Sequence, residues 1–475
     1  MRHARAGLIG EVLSPQTIAI VTGAALAAAA GLVVSTAPGS VPVAIGVAVL
    51  GIVCLLRWPA FTLLAALVVC QELEASSGFG AGGSGLLFIG HQLYFKTFSR
   101  ISLLTLTAVV AAVRVIAIDP PRRPRLTAVS LVALMGFWYA ATVWLDGESL
   151  TSAVNQDARF ALLFVLAFVV GASAQRRRQW RAHAIGVMQG LFTVMALIGA
   201  YLAATGQGQA QTGLDIIFYD AALGAVAGAV VLAVALAPRQ ARTWQVWWLG
   251  AAALIVVVLS ARRNVWAAMI VALLVGVAVA RDRVRLVLRG LAVVAAILIA
   301  VAIFAPSVLT EIGHQLSAIW EATQGTAADN STQGHLSDIT VGLRAVLAHP
   351  ISGIGAGGHL AGLVVEEGGP LYIHNQILES WLRFGVFGGV LMIVVQATLV
   401  GQGIRVLRRR ADDITVTWAA MFLIMAPVSM LTAPFFTETQ RWPALAGLAA
   451  GLVAARRRSE STALSPAAAE PRRLA

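Results

Sequence analysis

Long apolar runs repeat from one end of the chain to the other and leave few folds open. They fall at about 16–35, 41–56, 59–73, 99–117, 126–145, 159–174, 182–204, 216–237, 244–260, 264–280, 288–305, 376–402, 415–433 and 440–455. Most are close to the ~20 residues that a helix needs to cross about 30 Å of hydrocarbon. In hydrocarbon each backbone N–H and C=O must be paired without water, which a helix achieves within its own segment. Composition agrees: 59% of residues are hydrophobic, 12% are charged, and the mean hydropathy is +0.82. The expected fold class is all-α, a polytopic integral membrane helix bundle of about 14 (12–14) spans. Stretches 41–56 and 59–73, joined by Arg57-Trp58-Pro59, also read as one re-entrant pair.

The net charge of +12 invites a nucleic-acid partner, but the arginines lie in short runs between apolar stretches and form no basic face. Nucleic acid is therefore excluded as a partner. Cys54 and Cys70 fall in apolar stretches and form no disulfide framework or metal motif. The basic start, Met1 to Gln16, leads into an apolar run that no A-x-A-like site follows, so the run reads as a retained first span.

Orientation follows from the cations. With the N-terminus inside, 26 of the 34 arginines and lysines fall inside. The other 8 are Lys96, Arg100, Arg159, Arg262, Arg263, Arg344, Arg383 and Arg441. Cytoplasmic loops carry the excess of Arg and Lys, so both termini are expected in the cytoplasm. Residues 1–305 then form an N-terminal bundle of about 11 spans, 306–375 one large extracytoplasmic loop, 376–455 the C-terminal spans, and 456–475 a disordered cytoplasmic tail.

The eight outer cations depart from the trend and face the large loop. Pairing with Glu72, Glu74, Asp157 or Glu438 is one account of them; an anion site is the other. The hairpin between 244–260 and 264–280 carries Arg262 and Arg263 where Gly, Asn or Ser would turn the chain with ease. Two planar guanidiniums there suit phosphate recognition.

Inside the loop, Asn330, Ser331 or Thr332 can cap a helix starting near Gln333 and ending at Pro350. Its Leu336, Ile339, Leu343, Val346 and Leu347 make an apolar stripe expected to lie on the outer ends of the spans, with His335 and Asp338 sharing a face. A glycine-rich turn follows at Pro350–His359, suited to tight packing or a close backbone approach to substrate. His374-Asn375 then stands just before a span, either capping it or serving as proton acceptor or phosphate contact. Glu379 and Arg383 are spaced for an i,i+4 ion pair. Gly385, Gly388 and Gly389 permit close helix packing. The loop's histidines and acids have no compact ligand spacing, so no metal is assigned.

Taken together, Asn330–Gly358 and His374–Gly389 resemble the signature loop of the O-antigen ligase and O-antigen polymerase superfamily. Pro350, Gly353 and Gly355 match its P-x-x-G-x-G turn; His374, Asn375, Leu378, Gly385 and Gly388 match the run that enters the next helix. Ser260 to Ala267 is similar to the S-R segment upstream, with Arg262 as the positional match. Ser331, Thr332 and His335 resemble one branch. Arg383 departs from the pattern, standing where the family usually has glutamate.

The resemblance implies a C-type membrane glycosyltransferase bundle in the bacterial cytoplasmic membrane, without metal or cofactor. It would move a glycan from a polyprenyl-diphosphate carrier to a lipid or glycan acceptor on the outer face, with inversion. His374, Arg262 and Arg263 would be catalytic, and Arg159, His335, Asp338, Arg344, Asn375 and Arg383 substrate-binding. Nothing separates ligase from polymerase. A transporter of an anion or lipid-linked glycan, and an assembly or scaffold protein, are the readings outside the enzyme class. Transporters tend to show paired repeats with broken spans, and no internal repeat is found here.

Overall fold

The computed structural model describes residues 53–69, 97–98, 101–118, 127–147, 149, 158–174, 178–204, 209–211, 214–216, 221–237, 243–260, 262–279, 295, 313, 317, 330–356, 358, 360, 373–409 and 413–463. Its helices are α1 (Pro59–Val69), α2 (Leu103–Ile118), α3 (Thr127–Leu145), α4 (Arg159–Ala174), α5 (Arg178–Ala204), α6 (Ala221–Leu236), α7 (Trp244–Ser260) and α8 (Arg263–Val279). They continue with α9 (Asn330–Ala348), α10 (Gln376–Arg408), α11 (Ile414–Ser429), α12 (Phe435–Glu438) and α13 (Arg441–Ala463). Two short antiparallel ladders lie between them: β1 (Thr97–Phe98) with β2 (Ile101–Ser102), and β3 (Gln209–Gln211) with β4 (Leu214–Ile216).

Among the described residues, α3, α10 and the segment His183–Tyr201 of α5 are long and apolar enough to cross a membrane. Eight further apolar helices run 10–17 residues. The expected stretches 16–35 and 288–305, and 41–56 up to residue 52, fall outside the described residues apart from Ala295. Helix α13 continues to Ala463, past the boundary at 455 that hydropathy suggests.

Contacts along the bundle fix which helix ends meet. Arg114 on α2 donates to the Leu56 carbonyl, whereas Arg441 at the start of α13 donates to Leu67 near the end of α1. Met269 and Gly276 of α8 lie against Met425 and Met421 of α11 by way of Gly228 and Leu236 of α6. The α1, α3, α5, α7 and α11 C-termini thus share one end of the bundle with the N-termini of α2, α4, α6, α8, α10 and α13. Residues 330–356 and 373–375 sit at that same end.

Helices α4 and α13 pack backbone to backbone over several rungs. They run parallel, and α13 carries the small-residue spacing Gly447-x-x-x-Gly451. A Cβ on Gly447 would stand 2.2 Å from the Phe164 carbonyl oxygen, and one on Gly451 2.3 Å from that of Phe168. Gly171 answers from α4, 2.3 Å by the same construction from the Leu448 carbonyl. With no hydrophobic driving force between helices in lipid, this close approach supplies van der Waals contact in its place. Above it, the rings of Phe160 and Phe164 pack on Phe436 at centroid distances of 5.5 and 6.0 Å.

Arg441 is fully buried and gives Nε (3.0 Å) and Nη2 to the Leu67 carbonyl. A helix leaves its last carbonyls without internal partners, and this guanidinium satisfies one. That contact accounts for one of the eight outer cations as a helix cap.

Candidate active site

The site is built around a break in α10. Gly385 has φ 71° and ψ −175°, interrupting the helix between a short outer half and a long inner half. Such a break frees backbone groups that a membrane protein must pair. The Pro350–Gly355 turn pairs them: Ile354 N–H donates to the Leu382 carbonyl (2.7 Å), and Val386 N–H donates to that of Ile351 (2.9 Å). Trp381 Nε1–H reaches the Pro350 carbonyl at 2.8 Å, and Trp138 Nε1–H of α3 takes the Phe384 carbonyl at 3.0 Å.

The glycines of the turn are there for two reasons. Gly353 has φ +67°, a region that side chains with a Cβ rarely adopt, and a Cβ would stand 2.3 Å from the Leu382 oxygen. Gly385 mirrors it, with a Cβ position 2.5 Å from the Ile351 oxygen. The turn and the break are one interlocked unit, which gives tight packing as the role of these glycines.

Helix α9 lies against the outer half of α10, but not on the expected face. Leu336, Leu343 and Leu347 are exposed, the last by 73%. The packed face is Asp338, Gly342 and Val346, with Val341 and Ala345 beside them. Gly342 explains the choice: a Cβ there would already touch Ile373 at 3.0 Å, so α9 approaches at its small residues. The apolar stripe expected from hydrophobic spacing is thus corrected, with only Val346 of it fully buried.

This rotation carries Asp338 to His374. The Asp338 side chain is 0% exposed, and its Oδ2 is hydrogen-bonded to Nδ1 of His374, whose side chain is 18% exposed. An Nδ1–H held by a carboxylate fixes the imidazole tautomer and orientation. Nε2 is then the ring nitrogen that Asp338 does not engage. The sequence reading places Asp338 among the substrate contacts, on one face with His335; the structure buries its carboxylate against His374.

Asn375 caps α10, its Oδ1 accepting from the N–H groups of Ile377 (3.0 Å) and Leu378 (3.1 Å). Its Nδ2 donates to the Leu431 carbonyl at 3.3 Å, tying the cap to the end of α11. Buried Gln376 fixes the next rung, donating to Thr437 Oγ1 and accepting from Phe436 N–H, each at 2.8 Å. His374 is thereby held at the junction of α9, α10 and α12.

The other expected site residues are spread more widely. Arg383 is 7% exposed, bonded to buried Glu379 at 3.0 Å and lying 5.1 Å from the Phe384 ring centroid. Its guanidinium is engaged inside the helix, as the i,i+4 spacing suggests. Arg262 and Arg263 are half-buried at the α7–α8 turn, where the Arg262 carbonyl accepts from Val265 N–H at 3.1 Å. They and Arg159, the first residue of α4, stand at the same end of the bundle as His374. Arg344 is exposed on α9. The His335 side chain lies outside the described residues.

Residues 248–393 match the family model described as O-antigen ligase. That segment belongs to the O-antigen ligase/polymerase superfamily. The ligase segment covers a little under a third of the chain and runs from α7 to the inner half of α10. It takes in Arg262, Arg263, Asp338 and His374, and leaves out Arg159. No curated protein matches the chain. The match and the apolar helices make this a membrane protein with a glycan ligase or polymerase domain in the general sense.

Between α3 and α4, near the same end, lies an apolar groove of about 600 Å³. Gly136, Phe137, Ala141, Trp144, Ala161 and Leu162 are among the residues that line it. Among the described residues, no arginine lines it.

Proposed function

We propose that the protein transfers a glycan from a polyprenyl-diphosphate carrier to an acceptor hydroxyl on the extracytoplasmic face of the bacterial cytoplasmic membrane. The Asp338–His374 pair carries this reading. In the proposed step, Nε2 of His374 takes the acceptor hydroxyl proton as that oxygen forms its bond to the anomeric carbon. The bond from that carbon to the carrier's diphosphate oxygen breaks, and the electron pair leaves with the polyprenyl diphosphate. Attack opposite the leaving group inverts the sugar carbon.

Asp338 acts through His374, holding the ring and stabilising the imidazolium that forms. Arg262 and Arg263 face the charge that develops on the diphosphate, with Arg159 and Arg344 as further partners at the same end. Asn375 keeps the histidine in register by capping α10. The α3–α4 groove has the chemistry to take part of the prenyl chain, entered from the lipid side.

The test is glycan transfer in vesicles reconstituted with the whole chain, a polyprenyl-diphosphate-linked saccharide and a membrane extract as acceptor. Wild type is compared with His374→Ala and Arg262→Ala, each checked for folded yield. Loss of transfer in both folded variants supports the reading. Full transfer in both moves the site elsewhere, and movement of glycan or anion across the vesicle wall without transfer replaces the enzyme with a transporter.

A further inference from the structure

At the opposite end of the bundle, α3 and α10 enclose a second pocket of about 350 Å³, of mixed chemistry. Thr127 from α3 and Thr398, Gln402 and Arg405 from α10 supply its polar lining, and Ile393 and Val394 its apolar wall. Arg405 is exposed. The Oε1 atom of Gln402 is buried and has no hydrogen-bond partner among the described residues. A buried acceptor without a donor costs stability, and a hydroxyl of a bound molecule can supply one.

Depth says what kind of donor. Gln402 stands one turn before Arg405 and two turns before Arg409, at the basic end of α10, where a span leaves the hydrocarbon for the level of lipid headgroups. Beyond the apolar wall, exposed Phe387 and Val390 continue toward the membrane centre at helical spacing. The polar end of the pocket therefore meets a headgroup while the apolar track meets an acyl chain. On the arginine distribution this end is cytoplasmic, where basic pockets between spans take anionic headgroups.

We infer that this pocket binds an anionic glycerophospholipid of the inner leaflet whose headgroup bears a hydroxyl, as phosphatidylglycerol does. Arg405 pairs with the phosphodiester, the two threonine hydroxyls border it, and a headgroup hydroxyl donates to Gln402. This site lies away from the loop end and does not depend on the transfer chemistry.

The experiment uses the full chain in detergent, with bound lipids counted by native mass spectrometry during competition between phosphatidylglycerol and phosphatidylcholine. The wild type is expected to prefer phosphatidylglycerol by about fivefold, the worth of one arginine near an anionic surface. Arg405→Gln and Gln402→Leu should each bring the ratio toward one, Arg405→Lys should keep most of it, and Arg409→Gln, outside the pocket, should leave it unchanged. Equal retention of the two lipids by wild type would overturn the inference. So would an equal loss in Arg409→Gln, which makes the effect one of diffuse charge. Displacement of the lipid by inorganic phosphate would assign the pocket to a free anion instead.

Discussion

Two of the places where glycines bring backbones together in this molecule have opposite character. Between α4 and α13 the glycines are helical, the helices are unbroken, and the contact repeats along the pair from Phe164 to Leu452. At the loop end, Gly353 and Gly385 have positive φ, the helix is broken, and every exchanged hydrogen bond crosses between a turn and a half-helix. The first arrangement spreads its stabilisation over many rungs. The second concentrates it on a few groups and uses them to hold one histidine. Scaffold and site are built from the same residue type under different backbone rules.

Substitutions separate the two. The largest effect is expected from Gly447→Leu, whose side chain would occupy the Phe164 backbone. An overpacking cost on the order of 3 kcal/mol or more should remove the folded, monodisperse protein from size-exclusion profiles. Gly353→Ala should leave the bundle extractable and folded, yet reduce transfer by on the order of 10²-fold, because misplacement of reacting groups by ~1 Å has that effect. Equal loss of folded protein in both variants would erase the distinction.

Asp338→Asn comes next. Asparagine keeps the size but not the charge that supports the imidazolium, so kcat should fall by on the order of 10²-fold with KM little changed. Asp338→Glu should restore part of the rate, and a rise in KM without a fall in kcat would return Asp338 to substrate binding. Leu343→Ser is the smallest: its exposed side chain predicts a stability change within about 0.5 kcal/mol, read by thermal unfolding. A large loss would mean that the outward face of α9 is packed after all.

Much of this was legible in the chain. The apolar runs locate the helices, and α9 is found where expected. It begins at Asn330, so Asn330, Ser331 and Thr332 lie inside its first turn and not at a cap before Gln333. His374 and Asn375 stand out because polar residues at the mouth of an apolar run need a reason. What hydropathy could not supply is the α9 rotation. Spacing rewards leucines, whereas the approach of α9 to α10 is decided by the absence of a side chain at Gly342 and by a carboxylate at Asp338. The Asp338–His374 contact spans 36 residues of chain, so no local period encodes it. The match between turn and helix break is similarly hidden: P-x-x-G-x-G shows a need for glycine, not which carbonyls the turn will meet. Gly447-x-x-x-Gly451 is readable as a packing motif, but its spacing does not say that α4 is the helix it meets.

The Arg441 cap has a consequence in time. Its guanidinium closes α1 across 374 residues of chain. At ~5–20 residues per second, a ribosome needs roughly 20–75 s to make that interval. Throughout it the Leu67 carbonyl must wait with a provisional partner, and α4 must wait likewise for the glycines of α13. The bundle therefore cannot set vectorially from its N-terminus. Its first and fourth described helices remain unfinished until the last one enters the membrane.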